Sequence, residues 1–319
     1  MSLCTLYYGD TPWEQAYNGA VDRLFGNSLQ WNPIIDERLP RLIVTLCTGA
    51  SLAVSGAVMQ SLFHNPLASP SVLGISCGGS LLVTIVYVME WYFIYPYAIP
   101  IAAILGCLTT LILVYGLSQS RGEMQLNKLI LTGIAISTLL VACQGMIMYA
   151  LRDHWHLIQV LTEWESGSTI DRSWRHVHMQ LPLTLVGLTG CWMYRNEMDI
   201  LAMGCEEAKN LGVDVDKARW TLFVCVALLT GGALAAVGII AFFGLVLPHL
   251  FRSIFGPRNE VLIPLCIFGG AITFCSMDLC LRIFNIHSFS IGNISAIIGG
   301  AFFMALLVFP NKKLNSVEA

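Results

Sequence analysis

Long apolar runs separated by short polar stretches dominate the chain. They fall at about 42–63, 72–93, 95–117, 129–151, 181–194, 220–240, 262–284 and 291–309. Most approach the ~20 residues that a helix needs to cross the hydrocarbon core of a bilayer. A shorter run, 244–255, contains Pro248 and His249. It is too short to cross as a regular helix, so neighbouring protein must shelter its backbone. Counting it, the pattern predicts an all-α polytopic membrane protein with about nine transmembrane helices. The polar stretches are 1–40, 118–125, 152–179 and 195–219, and no low-complexity linker divides the chain. Residues 1–319 read as one transmembrane domain.

Composition agrees with the pattern. Of 319 residues 56% are hydrophobic and 12% charged, with a mean hydropathy of +0.69; soluble domains carry about 25% charged residues. A net charge of −3 gives no reason to expect nucleic acid as a partner. Most of the eleven cysteines, Cys47 and Cys107 among them, lie inside apolar runs, where cysteine is a small hydrophobe. No C-x-x-C or paired His/Cys spacing points to a metal. Residues 1–8 have neither the basic start nor the long apolar stretch of a cleavable signal.

Basic residues orient the chain. One set of connections holds ten, including Arg121, Lys128, Lys209, Lys312 and Lys313; the other holds seven, including Arg23, Arg152 and Arg175. This places 195–219 and the C-terminus on the cytoplasmic side. The 152–179 loop, with Trp155, Trp164 and Trp174, faces outward, where aromatic rings favour the interface. Small residues recur every fourth position at Gly49, Ala53 and Ala57, and again at Gly292, Ala296 and Gly300. Such faces let helix backbones approach closely in lipid.

Four segments carry more than membrane composition. R-L-P-R stands at 38–41, at the outer entrance of the first run; arginines there can also be snorkelling anchors. Gln60 to Pro70 reads Q-S-L-F-H-N-P-L-A-S-P, with Asn65 and Pro66 at its centre, and Leu73-Gly74 follow; the plain reading is a tight cytoplasmic turn. Residues 199–213 mix apolar Leu201, Ala208 and Leu211 with Glu206 and Glu207. A short amphipathic helix is predicted there, stopped by Gly212, and its acids fit an anionic lipid surface poorly. Residues 238–252 read G-I-I-A-F-F-G-L-V-L-P-H-L-F-R, a broken helix holding one buried histidine.

Together and in this order, these segments resemble the FecCD family of ATP-driven importer permeases, which includes subunits for iron-siderophore, haem and vitamin B12 uptake. The strings similar to the family's are R-L-P-R, Q-x-x-x-x-N-P-L-A-x-P-x-x-L-G, L-x-x-G-x-x-x-A-x-x-L-G-V and F-x-G-L-x-x-P-H-x-x-R. Stretches 131–135, 164–168 and 291–303 also look like the family's. The resemblance covers roughly residue 13 to the C-terminus. It departs where the family's first helix is truncated or missing, where 288–292 reads S-F-S-I-G for E-[LI]-P-[VI]-G, and where Ala301 replaces a proline.

The resemblance implies a ten-helix family bundle less its first helix, working as a homodimer or close heterodimer in the bacterial inner membrane. It implies that Leu201, Gly204, Glu206, Glu207, Ala208, Leu211 and Gly212 form a coupling helix seated in a cytoplasmic ATP-binding subunit. Ala208 and Leu211 would offer the apolar contact. Arg38, Arg41 and Arg282 match positions that pair with acids of a periplasmic or lipid-anchored substrate-binding protein. Leu126 and Asn127 match a cytoplasmic gate, and Gln60, Asn65, Pro66, Pro248 and His249 fall in the pathway segments. No G-x-x-x-x-G-K-[ST] occurs in the sequence, so ATP would be hydrolysed by the partner subunit. No catalytic group, metal ligand or bound cofactor is expected in this chain.

Asp278 is an acid inside an apolar run, and Arg282 lies four residues on, so an internal ion pair is the favoured reading. His154 and His156 are weak evidence for a metal. The competing readings are an ATP-independent secondary transporter or channel, which would favour buried charges beyond Asp278 and Glu90, and an inactive permease relative. A membrane enzyme would need converging catalytic groups, and none is visible.

Overall fold

A computed structural model describes residues 2–7, 13–25, 31–120, 123–124, 126–284 and 289–308. Arg121, Ser288, Lys312 and Lys313 lie outside the described residues. The helices, in chain order, are α1 (Ser2–Tyr7), α2 (Trp13–Phe25), α3 (Leu39–Phe63), α4 (Ile75–Val88), α5 (Trp91–Ile94), α6 (Ala98–Ser118) and α7 (Leu126–Ala150). They continue as α8 (Trp155–Ser166), α9 (Trp174–Met193), α10 (Arg195–Leu201), α11 (Cys205–Asn210), α12 (Val215–Val237), α13 (Phe243–Phe255), α14 (Asn259–Ile283) and α15 (Ile291–Val308). A π-helical turn, Ile34–Arg38, leads into α3, and a 3-10 turn, Pro70–Leu73, leads into α4. A two-residue hairpin of β1 (Gln119–Ser120) and β2 (Glu123–Met124) joins α6 to α7.

Each of the nine apolar runs contains one of α3, α4, α6, α7, α9, α12, α13, α14 and α15. The boundaries differ where chemistry intervenes. Helix α4 ends at Val88, and Glu90 takes a left-handed backbone between α4 and α5, exposed and outside the body of either helix. Helix α9 starts seven residues before its apolar run, because Ser173 and His176 form a capping box around its first turn. The polar 152–179 stretch is not all loop: it holds α8. Of its tryptophans only Trp155 is well exposed; Trp164 is buried and Trp174 donates to the Ile35 carbonyl (3.0 Å).

Helix α3 is the axis of the bundle, packed against α9, α12, α13 and α14, while α4, α6 and α12 form a second packed group. Backbone contact makes this packing possible. A Cβ on Gly49 would meet the Gly270 carbonyl at 2.2 Å, and one on Gly56 would meet the Gly244 carbonyl at 1.4 Å. The small-residue face at Gly49, Ala53 and Ala57 is therefore a real seam. The second face is corrected: Gly292 packs on the Ser166 and Ile239 carbonyls, but Gly300 meets open space, and its neighbour Gly299 packs on Phe242.

Between α12 and α13 the backbone is non-helical, with Gly238 and Phe242 at positive φ. Amides and carbonyls left free by such a break are tolerated at membrane depth only inside protein or along a cavity. Both hold here: Gly238 sits against the Trp164 carbonyl, and residues 239–242 line a partly open cavity.

Candidate functional site

At the end of the bundle that holds 195–219, α10 and α11 make an elbow. Gly204 (φ 129°) starts α11, and Gly212 (φ 82°) ends it. The end is a Schellman motif: the Val213 N–H donates to the Ala208 carbonyl and the Gly212 N–H to the Lys209 carbonyl, both at 3.0 Å. Helix and stop are thus present where the sequence put them.

The elbow's faces correct one expectation. Ala208 is fully buried against the bundle, so it cannot offer an apolar contact to a partner. Leu201 is buried as well, whereas Leu211 (62%) and Met203 (67%) are exposed beside exposed Glu206 and Glu207. Amphipathicity here seats the elbow on its own bundle and leaves Met203, Leu211 and the acids outward.

A polar chain fastens the elbow to the transmembrane helices. Asp199 Oδ1, on α10, accepts from the backbone N–H (3.0 Å) and Nδ2 (2.7 Å) of Asn259 at the start of α14. Asn259 Oδ1 accepts from Ser61 Oγ (3.0 Å) on α3, and Ser61 Oγ accepts from Arg252 Nη2 (3.0 Å) on α13. His64 Nε2 lies 3.0 Å from the Leu201 carbonyl, and Gln60 Nε2 donates to the Leu245 carbonyl (3.0 Å). Four helices therefore share one network, and displacement of α10 has hydrogen-bonded paths into α3, α13 and α14. Asp199 and Arg252 lay inside the quoted motifs, but their pairing across the fold carried no sequence signal.

The remaining pathway residues are dispersed. Asn65 caps its own turn by accepting from the Leu67 N–H (2.8 Å), Pro66 follows it, and Asn127 is exposed at the start of α7, next to Leu126. Pro248 and His249 are buried in α13, the imidazole edge-on to Phe302 at 6.2 Å.

At the opposite end, the arginines expected to dock a partner turn inward. Asp278, fully buried, accepts from Arg41 Nη2 (2.8 Å) and Nε (3.2 Å) on one oxygen and from Arg282 Nη2 (2.6 Å) and Nε (3.0 Å) on the other. Thr169 Oγ1 also donates to Asp278. The Asp278–Arg282 pair is as the spacing suggested; Arg41, 237 positions away, is the addition. Arg38 is 3% exposed and donates to the carbonyls of Leu6 (2.8 Å) and Tyr7 (3.1 Å). All three arginines are thus largely covered within the chain.

Arg41 and Arg282 nevertheless line a cavity of about 640 Å³, together with Arg172. Two guanidinium groups share one carboxylate, and Arg172 donates to the Ser168 carbonyl (3.1 Å) and lies 3.2 Å from His176 Nε2. Glu163 and Asp171 line the same cavity, so with Asp278 three carboxylates stand against its three guanidinium groups.

Comparison with known proteins gives consistent results. Residues 1–309 match the FecCD transport family. The chain is 35% identical over 283 residues to the vitamin B12 import system permease protein BtuC of Vibrio vulnificus, covering 88% of this chain and 84% of that protein. It is 33% identical to the hemin transport system permease protein HmuU of Yersinia pestis (88% and 85% covered). It is 36% identical to the Fe(3+) dicitrate transport system permease protein FecD of Escherichia coli (86% and 85%). Its fold is similar to a solved inward-facing conformation of a metal-chelate type ABC transporter, with a TM-score of 0.82 at 25% identity over 96% of this chain and 94% of that one.

Proposed function

Because the chain belongs to the FecCD transport family, we propose that it is the membrane-spanning permease of a binding-protein-dependent ATP-driven importer. Its cargo is an iron chelate, haem or a similarly large ligand, moved inward across the bacterial cytoplasmic membrane. The observation that carries the mechanism is the α10–α11 elbow, fastened by Asp199, Asn259, Ser61 and Arg252 to three transmembrane helices. A cytoplasmic ATP-binding subunit grips the outward residues Glu206, Glu207, Met203 and Leu211 in a helix-in-groove contact. Closure of that motor pushes a rigid element and rocks α3, α13 and α14 in alternating access.

At the outer end, Arg41 and Arg282 face the acids of a substrate-binding protein across the cavity they line, with Arg38 bracing the backbone behind them. Their shared anchor, Asp278, keeps each pair weak, which suits a partner that docks and leaves every cycle. A second permease copy or close paralogue covers the exposed side of α7 and completes the path. Leu126 and Asn127 at the start of that helix act with the Gln60–Pro66 and Pro248–His249 segments as the inner gate.

The test is reconstitution with the ATP-binding subunit and binding protein in liposomes. Gly212→Ala forces a side chain into a left-handed backbone at a cost of about 1 kcal/mol, with nothing within 4 Å to clash. Ligand-stimulated hydrolysis should then fall several-fold with uptake, while the helix bundle keeps its thermal stability. The Glu206→Gln/Glu207→Gln pair should weaken subunit association in a salt-dependent way. Coupling that survives both changes would refute the elbow's role.

A further inference from the structure

The break between α12 and α13 opens onto a second cavity, of about 540 Å³, walled by α4, α7, α8 and residues 239–245. Its walls are mainly apolar, and Glu165 is the one charged residue lining it. The carboxylate is held in place. Ser80 Oγ donates to Glu165 Oε1 (3.2 Å), Gln144 Nε2 donates to the same oxygen, and Gln144 Nε2 also donates to Ser80 Oγ (3.0 Å). Two other helices, α4 and α7, thus hold one oxygen of this α8 carboxylate. Among the described residues Oε2 accepts no hydrogen bond, and no cation pairs with Glu165. A second polar group is also without a partner: Thr230 Oγ1, 4% exposed on α12, lines the same cavity.

An ionised carboxylate in an apolar cavity is costly unless a cation or donor meets it. The space is too large for a bare ion and offers one acid only, which is a poor metal site. It has the size and make-up of a small-molecule pocket, apolar walls with a few fixed polar groups. We infer that this cavity is a subsite for an organic ammonium: a protonated amine on an apolar stem, its N–H groups shared between Glu165 Oε2 and Thr230 Oγ1, its carbon against Ile239, Ile240 and Met148. Burial pushes the Glu165 carboxyl above its ordinary range while the Ser80 and Gln144 hydrogen bonds pull it back. Resting on the permease reading, the inference names a substrate class for it: chelates that carry a free amine are favoured over their neutral counterparts.

The primary test uses the purified full chain and a simple probe. Binding of n-hexylammonium and of 1-hexanol is measured by ligand-observed NMR on wild type, Glu165→Gln and Glu163→Gln, the last an exposed acid on the same helix. Hexylammonium should bind wild type and Glu163→Gln alike and lose about tenfold or more with Glu165→Gln, while hexanol binds all three equally. Thr230→Val should lose less. Equal ammonium binding by wild type and Glu165→Gln, or hexanol matching hexylammonium on wild type, overturns the site; unchanged elution and melting of each variant excludes misfolding. In proteoliposomes with partner subunits, an amine-bearing trihydroxamate should outpace its N-acetylated form, and Glu165→Gln should remove the difference. Uptake of both at equal rates refutes the subsite and leaves the importer standing; ammonium binding without any chelate uptake does the reverse.

Discussion

Helices α3 and α7 are both 25 residues long and similarly apolar, yet they occupy opposite environments. In its most apolar 18-residue stretch α3 is 89% buried inside the chain, and α7 is 11% buried. What separates them is side-chain size. Helix α3 carries Gly49, Ser51, Ala53, Ser55, Gly56 and Ala57 on its packed faces, all buried. Helix α7 presents Leu131, Leu139, Met146 and Tyr149 outward. With lipid tails as apolar as leucine, burial follows from how closely a backbone can be approached rather than from hydropathy. Helix α3 is the pillar that the inner network and the outer arginine clasp both hold. Helix α7 is a wall awaiting lipid or another copy.

The strongest way to break the contrast is to unclasp the pillar. Arg41→Ala leaves Asp278, fully buried, with Arg282 as its remaining cation. Breaking a buried pair costs about 3–5 kcal/mol, and the retained partner puts this case near about 3. Thermal unfolding of the detergent-solubilised protein should show it, and Arg41→Ala/Asp278→Ala should recover part of the loss. A double variant no better than the single would mean that the clasp does not hold α3 to α14.

A smaller effect compares two glycines. Gly56→Ala drives a methyl into the Gly244 carbonyl, so α3 and α13 must separate, at about 1–3 kcal/mol. Gly145→Ala on α7 meets nothing within 4 Å and removes a flexible residue from a helix, so it should stabilise by about 0.5–1 kcal/mol. Opposite signs in the same unfolding assay sharpen the contrast; equal signs would erase it.

Legibility in the sequence follows the same division. Local features were readable: nine apolar runs, the Gly212 helix stop, the Asp278–Arg282 spacing and the broken helix before Pro248. Each is set by residues within a few turns of one another. What was not readable depends on distant chain segments meeting. Ala208 turned inward because the elbow has its own bundle to pack on. Arg41 found Asp278, and Asp199 found Asn259, through tertiary placement alone. Glu165 stood in a quoted stretch, yet its significance comes from Ser80 and Gln144, on two other helices. The gate residues lie in short-range turns or helix ends, so their motif positions could be read but not their relation to one another.

The finest test of the pillar and the wall replaces the same residue in each. Met59 on α3 is fully buried, and Met146 on α7 is 73% exposed. Truncating methionine to alanine in a soluble core costs about 2–5 kcal/mol, part from lost transfer out of water and part from the cavity left behind. In a membrane the separated helix already lies in lipid, so the transfer part cancels and the cavity part remains. Met59→Ala should therefore cost about 1–2 kcal/mol. Met146→Ala leaves a hollow that lipid or detergent fills, and should stay within about 0.5 kcal/mol in the single chain. The same variant also reads the wall's occupant. If a second copy covers this face, Met146→Ala should lower the fraction of particles holding two copies, measured by single-particle mass, without moving the melting point. A melting point that falls as far for Met146→Ala as for Met59→Ala would show that α7 packs as α3 does, and the distinction between them would be lost.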